Sequence, residues 1–124
     1  MAVAIDGTNG LTFNDSTIIK SGYSGAKAWV NCSGATINGS FNVSSITYPT
    51  SGRFQINFAT AMPNANYAIV AMGAPSSEIA MSCYTGYQTL WGTNSTTAAY
   101  VTAVNVAGPA VHSPANLYVV VFGT

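Results

Sequence analysis

The sequence predicts an all-β protein, an antiparallel β-sandwich of the jelly-roll-like or Ig-like (immunoglobulin-like) kind with an extended N-terminal arm. Short segments alternate apolar and polar residues, and glycine, asparagine, serine and proline separate them. In Arg53–Phe58, for example, Phe54, Ile56 and Phe58 fall on one face and polar residues on the other. This alternation is typical of a half-buried antiparallel strand, and many short strands at this spacing indicate a sandwich or barrel.

The strongest of these segments give an ordered set of predicted strands. Pro49–Gly52 is a turn-forming tetrapeptide and predicts a hairpin between the second and third predicted strands, Phe41–Tyr48 and Arg53–Phe58. The final segment is almost continuously apolar, which predicts a central strand covered on both faces. The predicted strands are Lys27–Asn31, Phe41–Tyr48, Arg53–Phe58, Tyr67–Gly73, Ala99–Val106 and Leu117–Phe122.

The N-terminal segment differs in character, because only short apolar pieces lie between its glycine-rich turns. We therefore predict an extended arm over residues 1–25 and a β-sandwich domain over residues 26–124. Pieces this short bury little surface alone, so the arm would gain most by packing on a neighbouring subunit. Trp29 lies on a predicted strand, and we assign it to the core or to a subunit contact. The predicted oligomer-interface residues are Leu11, Phe13, Ile18 and Trp29.

Charge is scarce along the whole chain. Only 5% of the 124 residues are charged and the net charge is zero, whereas ordinary soluble domains carry about 25% charged residues. Such a chain lacks the positively charged surface that binds nucleic acid or an anionic membrane. A net charge near zero also promotes self-association, which favours a homo-oligomer over a monomer kept soluble by hydroxyl and amide groups.

No apolar run approaches the roughly 18–20 residues that span a bilayer, and the N-terminus lacks the features of a secretion signal. We therefore expect synthesis in the cytoplasm and no membrane insertion.

The titratable residues are too few for catalysis. Glycoside hydrolysis needs two opposed carboxylates, but two of the three carboxylates, Asp6 and Asp15, lie in the predicted arm, and Glu78 is alone in its segment. A triad would require His112, the single histidine, which lies in a proline-framed loop with no carboxylate nearby. The sequence predicts that the protein is not an enzyme and has no cofactor.

The two cysteines, Cys32 and Cys83, are far apart in the sequence. One pair can form a disulfide, but synthesis in a reducing cytoplasm favours two buried free thiols. Two thiols and one histidine are too few for a closed zinc site, so we predict no metal.

Aromatic residues give the one sign of a binding surface. Tyr and Trp faces stack on sugar rings, and neighbouring amides and hydroxyls can supply hydrogen bonds. The alternative is that Tyr84 and Trp91 lie in the core or at a subunit interface. The candidate receptor-binding or glycan-binding residues are Tyr84, Tyr87, Gln88, Trp91 and His112.

The chain resembles fibre proteins of tailed bacteriophages. Gly10–Thr17 looks like a segment at the base of distal fibre domains, although Ser16 stands where that segment usually has glycine. From Lys27 to about Gly73 the order of segments is similar to a C-terminal module of fibre and other surface proteins of marine and cyanobacterial phages. The segments that carry this second similarity are Lys27–Asn31, Phe41–Thr47 and Phe58–Tyr67.

The resemblance implies a virion structural protein, usually trimeric, with a tip that faces the receptor. We therefore expect a homotrimeric fibre or fibre-tip module on the phage particle, in contact with other virion proteins and with a host cell-surface glycan. Such modules usually end longer polypeptides, whereas this chain begins at Met1 and has 124 residues. A capsid decoration (cement) protein, whose arm clamps neighbouring subunits, is the alternative. A free-standing carbohydrate-binding lectin is less favoured.

Overall fold

The protein is a β-sandwich. The computed structural model describes residues 4–6, 10–12, 18–19, 25–77, 80–85, 92–108 and 110–123, with the backbone alone for residues up to 19 and for Pro49. The described residues form no helix, and two antiparallel sheets pack together, so the predicted fold class is confirmed. The strands are β1 (Ala4–Asp6), β2 (Gly10–Thr12), β3 (Ile18–Ile19), β4 (Ala28–Ser33), β5 (Thr36–Phe41), β6 (Val43–Thr50), β7 (Arg53–Phe58), β8 (Ala68–Ala74), β9 (Met81–Thr85), β10 (Ala98–Asn105), β11 (Ala110–Val111) and β12 (Asn116–Phe122).

The first sheet, which we call sheet I, has the strand order β5-β4-β12-β8. The second, sheet II, contains β6, β7 and β10 in that order, together with β9 and β11. Val101 of β10 pairs with Phe54 of β7 and with Thr85 of β9, so β7 and β9 lie on opposite sides of β10. All of these pairs are antiparallel, as short strands joined by tight connections require.

The core lies between the two sheets and follows the alternation read from the sequence. In β7 the apolar residues Phe54, Ile56 and Phe58 are buried and the polar residues between them are partly exposed. Sheet I contributes alternate residues of β4 and β12 to the same cluster. The buried side chains of these strands and of β10 are Ala28, Val30, Cys32, Phe54, Ile56, Phe58, Ala99, Val101, Ala103, Leu117, Val119 and Val121.

Asn42 forms the corner at which the chain crosses from sheet I to sheet II. Its φ of 52° lies in the left-handed region, which asparagine tolerates better than most residues. The side-chain amide donates to the carbonyl oxygens of Lys27 and Thr60, each at 3.1 Å, and its Oδ1 accepts from the Thr60 amide at 2.7 Å. These bonds tie the corner to the start of β4 and to the segment that follows β7.

The predicted hairpin between the second and third strands is confirmed as the β6–β7 pair. Its turn is shorter than the predicted tetrapeptide, because β6 continues through Thr50 and only Ser51 and Gly52 form the turn. Gly52 has a φ of 75°, a conformation that glycine adopts without steric cost.

The predicted position of the C-terminal strand is confirmed, and within one chain only one of its two faces is covered. β12 is central, with β4 on one side and β8 on the other. Its inward residues are buried, whereas Tyr118 and Phe122 are exposed, because a sandwich covers only one face of each sheet. The sequence prediction also missed β5, whose Asn38-Gly39 pair is a poor strand former.

The predicted N-terminal arm contains β1, β2 and β3, which form a three-stranded antiparallel sheet of their own. Asp6 pairs with Gly10 in antiparallel register. Leu11 stands in register with Ile5 on one side and Ile19 on the other. Packing of this segment on a neighbouring subunit stays a prediction.

Candidate interaction surface

The outer face of sheet II is polar and hydrogen-bonded along β6 and β7. The Asn57 amide donates to the hydroxyls of Ser45 and Thr47 on β6, both at 3.0 Å, and the Gln55 amide donates to Asn57 Oδ1 at 2.7 Å. Arg53 lies on the same face of β7, two positions from Gln55. This side of the molecule therefore shows the arrangement expected of a sheet that faces water.

The outer face of sheet I is apolar. Alternation along β4 and β12 sends one set of residues into the core and the next set outward, and the outward set is also largely hydrophobic. Six large hydrophobic side chains on this face expose between 42% and 69% of their surface. We call this surface the apolar face, and its six members are Trp29, Phe41, Val70, Met72, Tyr118 and Phe122.

The register makes the apolar face continuous across all four strands. Trp29 pairs with Phe41 of β5 on one side and with Val120 of β12 on the other, and Val120 pairs with Val70 of β8. Directly opposite residues on one face of a sheet have Cβ atoms about 4.5–5.5 Å apart, close enough for their side chains to touch. The indole ring also lies over Gly39 of β5, where a Cβ would be 3.5 Å from two of its ring atoms.

The side-chain amides of three asparagines lie along one edge of the apolar face. Asn38 donates to Oδ1 of Asn116 at 3.1 Å and to Oδ1 of Asn31 at 3.4 Å, which links the ends of three strands. Tyr118 lies next to this group, since it pairs with Asn31 on one side and Met72 on the other. The apolar face therefore has a hydrogen-bonded amide group along one edge.

The apolar face carries no charge of its own, because none of the strands β4, β5, β8 and β12 contains a charged residue. With about 150–250 Å² for each large side chain, the exposed fractions amount to roughly 600 Å² of uncovered apolar surface. The largest such patch on a typical monomer is about 300–600 Å² and is often functional. Covering it would contribute on the order of 15 kcal/mol before the costs of association.

The predicted binding residues are not brought together by the described structure. Tyr84 pairs with Thr102 and points to the outer face of sheet II, where it is 53% exposed. His112 follows β11, and its amide donates to the Ala103 carbonyl at 3.0 Å. The two residues lie on opposite sides of β10, since Val104 pairs with both β9 and β11. Tyr87, Gln88 and Trp91 lie outside the described residues.

Of the predicted interface residues, Trp29 is the one whose side chain the structure describes. It is 42% exposed, so its assignment to the core is wrong. Successive side chains of a strand point to opposite faces of the sheet, and Ala28 and Val30 on either side of Trp29 point into the sandwich. Its role in a subunit contact stays a prediction. Leu11 and Ile18 are described by backbone alone, and Phe13 lies outside the described residues.

Both cysteines are free thiols. Cys32 is buried in the core, and burial raises the pKa of its thiol from the ordinary 9.0 to about 11. Cys83 is half-buried; burial raises its pKa and a hydrogen bond with the Gly73 backbone offsets part of that rise. Thiols in such surroundings are protonated at neutral pH and unreactive.

Within the described part of the chain, no three His, Cys, Asp or Glu side chains come together as a metal site. The described residues also include no helix able to cross a membrane.

The sequence contained one signal for the apolar face. The near-continuous apolar run of β12 indicates something covering both faces of that strand. In the isolated sandwich only the inner face is covered, which leaves the outer one without its expected cover.

No family model matches this sequence, and neither a curated protein nor a solved structure is significantly similar to it.

Proposed function

We propose that this protein is a homo-oligomeric structural subunit of a tailed-phage virion, exposed on the particle as a fibre or fibre-tip module. The observation that carries the proposal is the contrast between the two outer faces of one sandwich. The outer face of sheet II carries hydrogen-bonded polar groups along β6 and β7, whereas sheet I leaves roughly 600 Å² of apolar surface bare. A monomer in water gains nothing from such a face, but a subunit of an assembly does.

The scarcity of charge supports the same conclusion. With 5% charged residues and no net charge, the chain lacks the self-repulsion that keeps monomers apart. Copies can therefore be packed closely without placing like charges together, as a particle built from many identical subunits requires.

The residues that resemble phage modules have structural roles in this sandwich. Phe58–Tyr67 connects the two sheets; within it Met62 is buried, and the Phe58 and Tyr67 rings meet edge to face with centroids 5.7 Å apart. The Tyr67 hydroxyl donates to the carbonyl oxygens of Ser95 and Ala98, both at 2.9 Å. The resemblance therefore rests on residues that position a sheet-to-sheet crossing, and it implies a trimer.

Host contact belongs to the fibre form of the proposal. Tyr84 is an exposed aromatic on the polar side of the molecule, remote from the apolar face, so it stays available in an assembly held together by sheet I. We propose a host cell-surface glycan as its partner. Tyr84→Ala should weaken binding of the purified oligomer to host cells without changing its unfolding curve, and wild-type binding would exclude Tyr84 from the contact.

Capsid decoration is the second candidate function. The N-terminal segment forms a small sheet of its own, a unit suited to clamping a neighbouring subunit. Deleting residues 1–25 should then abolish attachment to expanded capsids, and unchanged occupancy would rule this function out.

Immunogold electron microscopy distinguishes the two functions. Antibody to the purified protein is applied to phage particles from the source culture, with a capsid protein antibody as positive control. Label at fibre ends supports the fibre module, and label over the head supports decoration. A protein that is detected in the lysate but on no particle would overturn both.

A further inference from the structure

We propose that the apolar face of sheet I is covered by the apolar face of a second copy of this chain, with the larger side chains of one copy against the smaller ones of the other. In one row across the strands the larger residues are Phe41 on β5 and Trp29 on β4; in the next row they are Tyr118 on β12 and Met72 on β8, in register with Asn31 and Gly39. This inference rests on the proposed function only in that both require self-assembly.

The absence of charge on the apolar face determines which class of partner complements it. The four strands of sheet I contain no charged residue, so the apolar face has nothing to offer an anionic or cationic surface. A partner that complements it is itself neutral and apolar. A second copy supplies such a surface at the same concentration as the first.

The area also fits a contact between copies. A standard interface takes about 800 Å² from each partner, and about 65% of a homodimer interface is apolar, so about 500 Å² of apolar surface is needed on each side. The apolar face supplies roughly 600 Å² of it. The amide group of Asn31, Asn38 and Asn116 lies where a polar rim is expected.

The arrangement of large and small side chains makes the face complementary to itself. One row of paired residues crosses the four strands, and its two largest side chains lie on β5 and β4. The row consists of Phe41, Trp29, Val120 and Val70. Rotation about an axis parallel to β12 brings β5 and β4 of one copy against β8 and β12 of another. In each of the two rows the larger side chains of one copy then meet the smaller ones of the other when the rotation is twofold.

A sugar polymer is the competing occupant, since aromatic platforms also bind glycans. The aliphatic side chains of Val70, Met72 and Val120 argue against it, because they offer sugar hydroxyls no hydrogen bonds. The nearby amides are already bonded to one another. We therefore favour a second copy.

Opposite charges placed at two positions of the apolar face test the proposed contact between copies. Val70→Lys and Phe41→Glu each place a charge in the proposed interface, and each should weaken self-association at least 100-fold in sedimentation equilibrium. Within one chain these positions are three strand spacings apart, about 14 Å, too far for an ion pair. Between copies they meet, so an equal mixture of the two variants should associate at least 10-fold more tightly than either alone.

Two tyrosines give a matched control. Tyr118→Lys and Tyr84→Lys change the same residue type at exposed strand positions, one on the apolar face and one on sheet II. Only Tyr118→Lys should dissociate the oligomer. Circular dichroism and urea unfolding check that each variant is folded, and Met72→Lys, at the most exposed residue of the face, replaces any variant that is not.

Three results would overturn the inference. They are a wild-type monomer at 100-micromolar concentration, an oligomer unaffected by Val70→Lys and Phe41→Glu, or a monomeric Trp91→Phe variant, with Trp29 as its one tryptophan, whose fluorescence changes on addition of host glycan. An oligomer unaffected by the two substitutions overturns this contact and leaves the virion proposal standing, whereas a wild-type monomer counts against both. Absence from the particle, in turn, leaves the contact between copies standing.

Discussion

The hydroxyl of Tyr48 in β6 is hydrogen-bonded to the hydroxyl of Ser113, 65 residues further along the chain. The same Tyr48 oxygen accepts the backbone amide of Gly52 at 3.2 Å. The ring packs on Phe54, with centroids 4.9 Å apart. One phenol thus joins the hairpin turn, the core and the segment that leads from β11 into β12.

Removing this hydroxyl should destabilise the sandwich. Tyr48→Phe keeps the ring on Phe54 but leaves the Gly52 amide and the Ser113 hydroxyl without their partner. We expect a loss of about 1–2 kcal/mol in the free energy of unfolding, measured by urea denaturation. Ser113→Ala and the double variant complete a cycle, and additive effects of the two changes would contradict a direct bond.

Gly52 should tolerate no side chain. Its φ is 75°, and a Cβ would lie 2.7 Å from the His112 carbonyl oxygen and 2.9 Å from that of Ala103, both backbone atoms that cannot turn aside. We expect Gly52→Ala to cost about 2–3 kcal/mol in urea denaturation. Gly108→Ala is the control, since a Cβ there has no neighbour within 4 Å. If the two variants were equally stable, this would contradict the close approach of Gly52 to the backbone oxygens of Ala103 and His112.

The parts of the fold that could be predicted are those set by local pattern. Alternation in Arg53–Phe58 identifies both the strand and its buried face, because only one set of its residues is apolar. The turn residues between β6 and β7 identify the hairpin for a similar reason.

The apolar face could not be predicted from the same pattern. In β8 both alternate sets are apolar, so the sequence does not distinguish Val70 and Met72, which face outward, from Ile69 and Ala71, which face the core. For Trp29 the sequence predicts the core or a subunit contact, since large aromatics are usually covered, and it does not distinguish the two. Which set is buried depends on the register between strands distant in sequence, which a local pattern does not contain.

Placing a hydroxyl on the inner face of β12 should be costly. Val119 is 1% exposed at the centre of the core, so Val119→Thr keeps its volume but buries a hydroxyl. We expect a loss of about 2 kcal/mol in thermal or urea unfolding. Val106→Thr, at an exposed position after β10, should change stability by less than about 0.5 kcal/mol. A similar loss in both variants would contradict the burial assigned to Val119.

Alkaline pH should destabilise the protein through its buried thiols. Burial raises the pKa of Cys32 from 9.0 to about 11, whereas in the unfolded chain the thiol ionises near pH 9. Unfolding therefore releases a proton between these values, so stability is unaffected below pH 9 and falls as pH rises to about 11. Two pKa units correspond to about 3 kcal/mol, the full loss being reached above pH 11.

Cysteine variants identify which group is responsible for this loss. Cys32→Val removes the thiol and keeps an apolar side chain in β4, so its free energy of unfolding should fall less steeply between pH 9 and 11 than that of the wild type. Cys83→Val should flatten the curve less, because the Gly73 backbone offsets part of the rise in the Cys83 pKa. Tyr67, whose pKa is also raised by burial, adds a loss above pH 10 in every variant. A wild-type curve that stays level to pH 11, measured by urea denaturation in steps of one pH unit, would contradict the burial of Cys32.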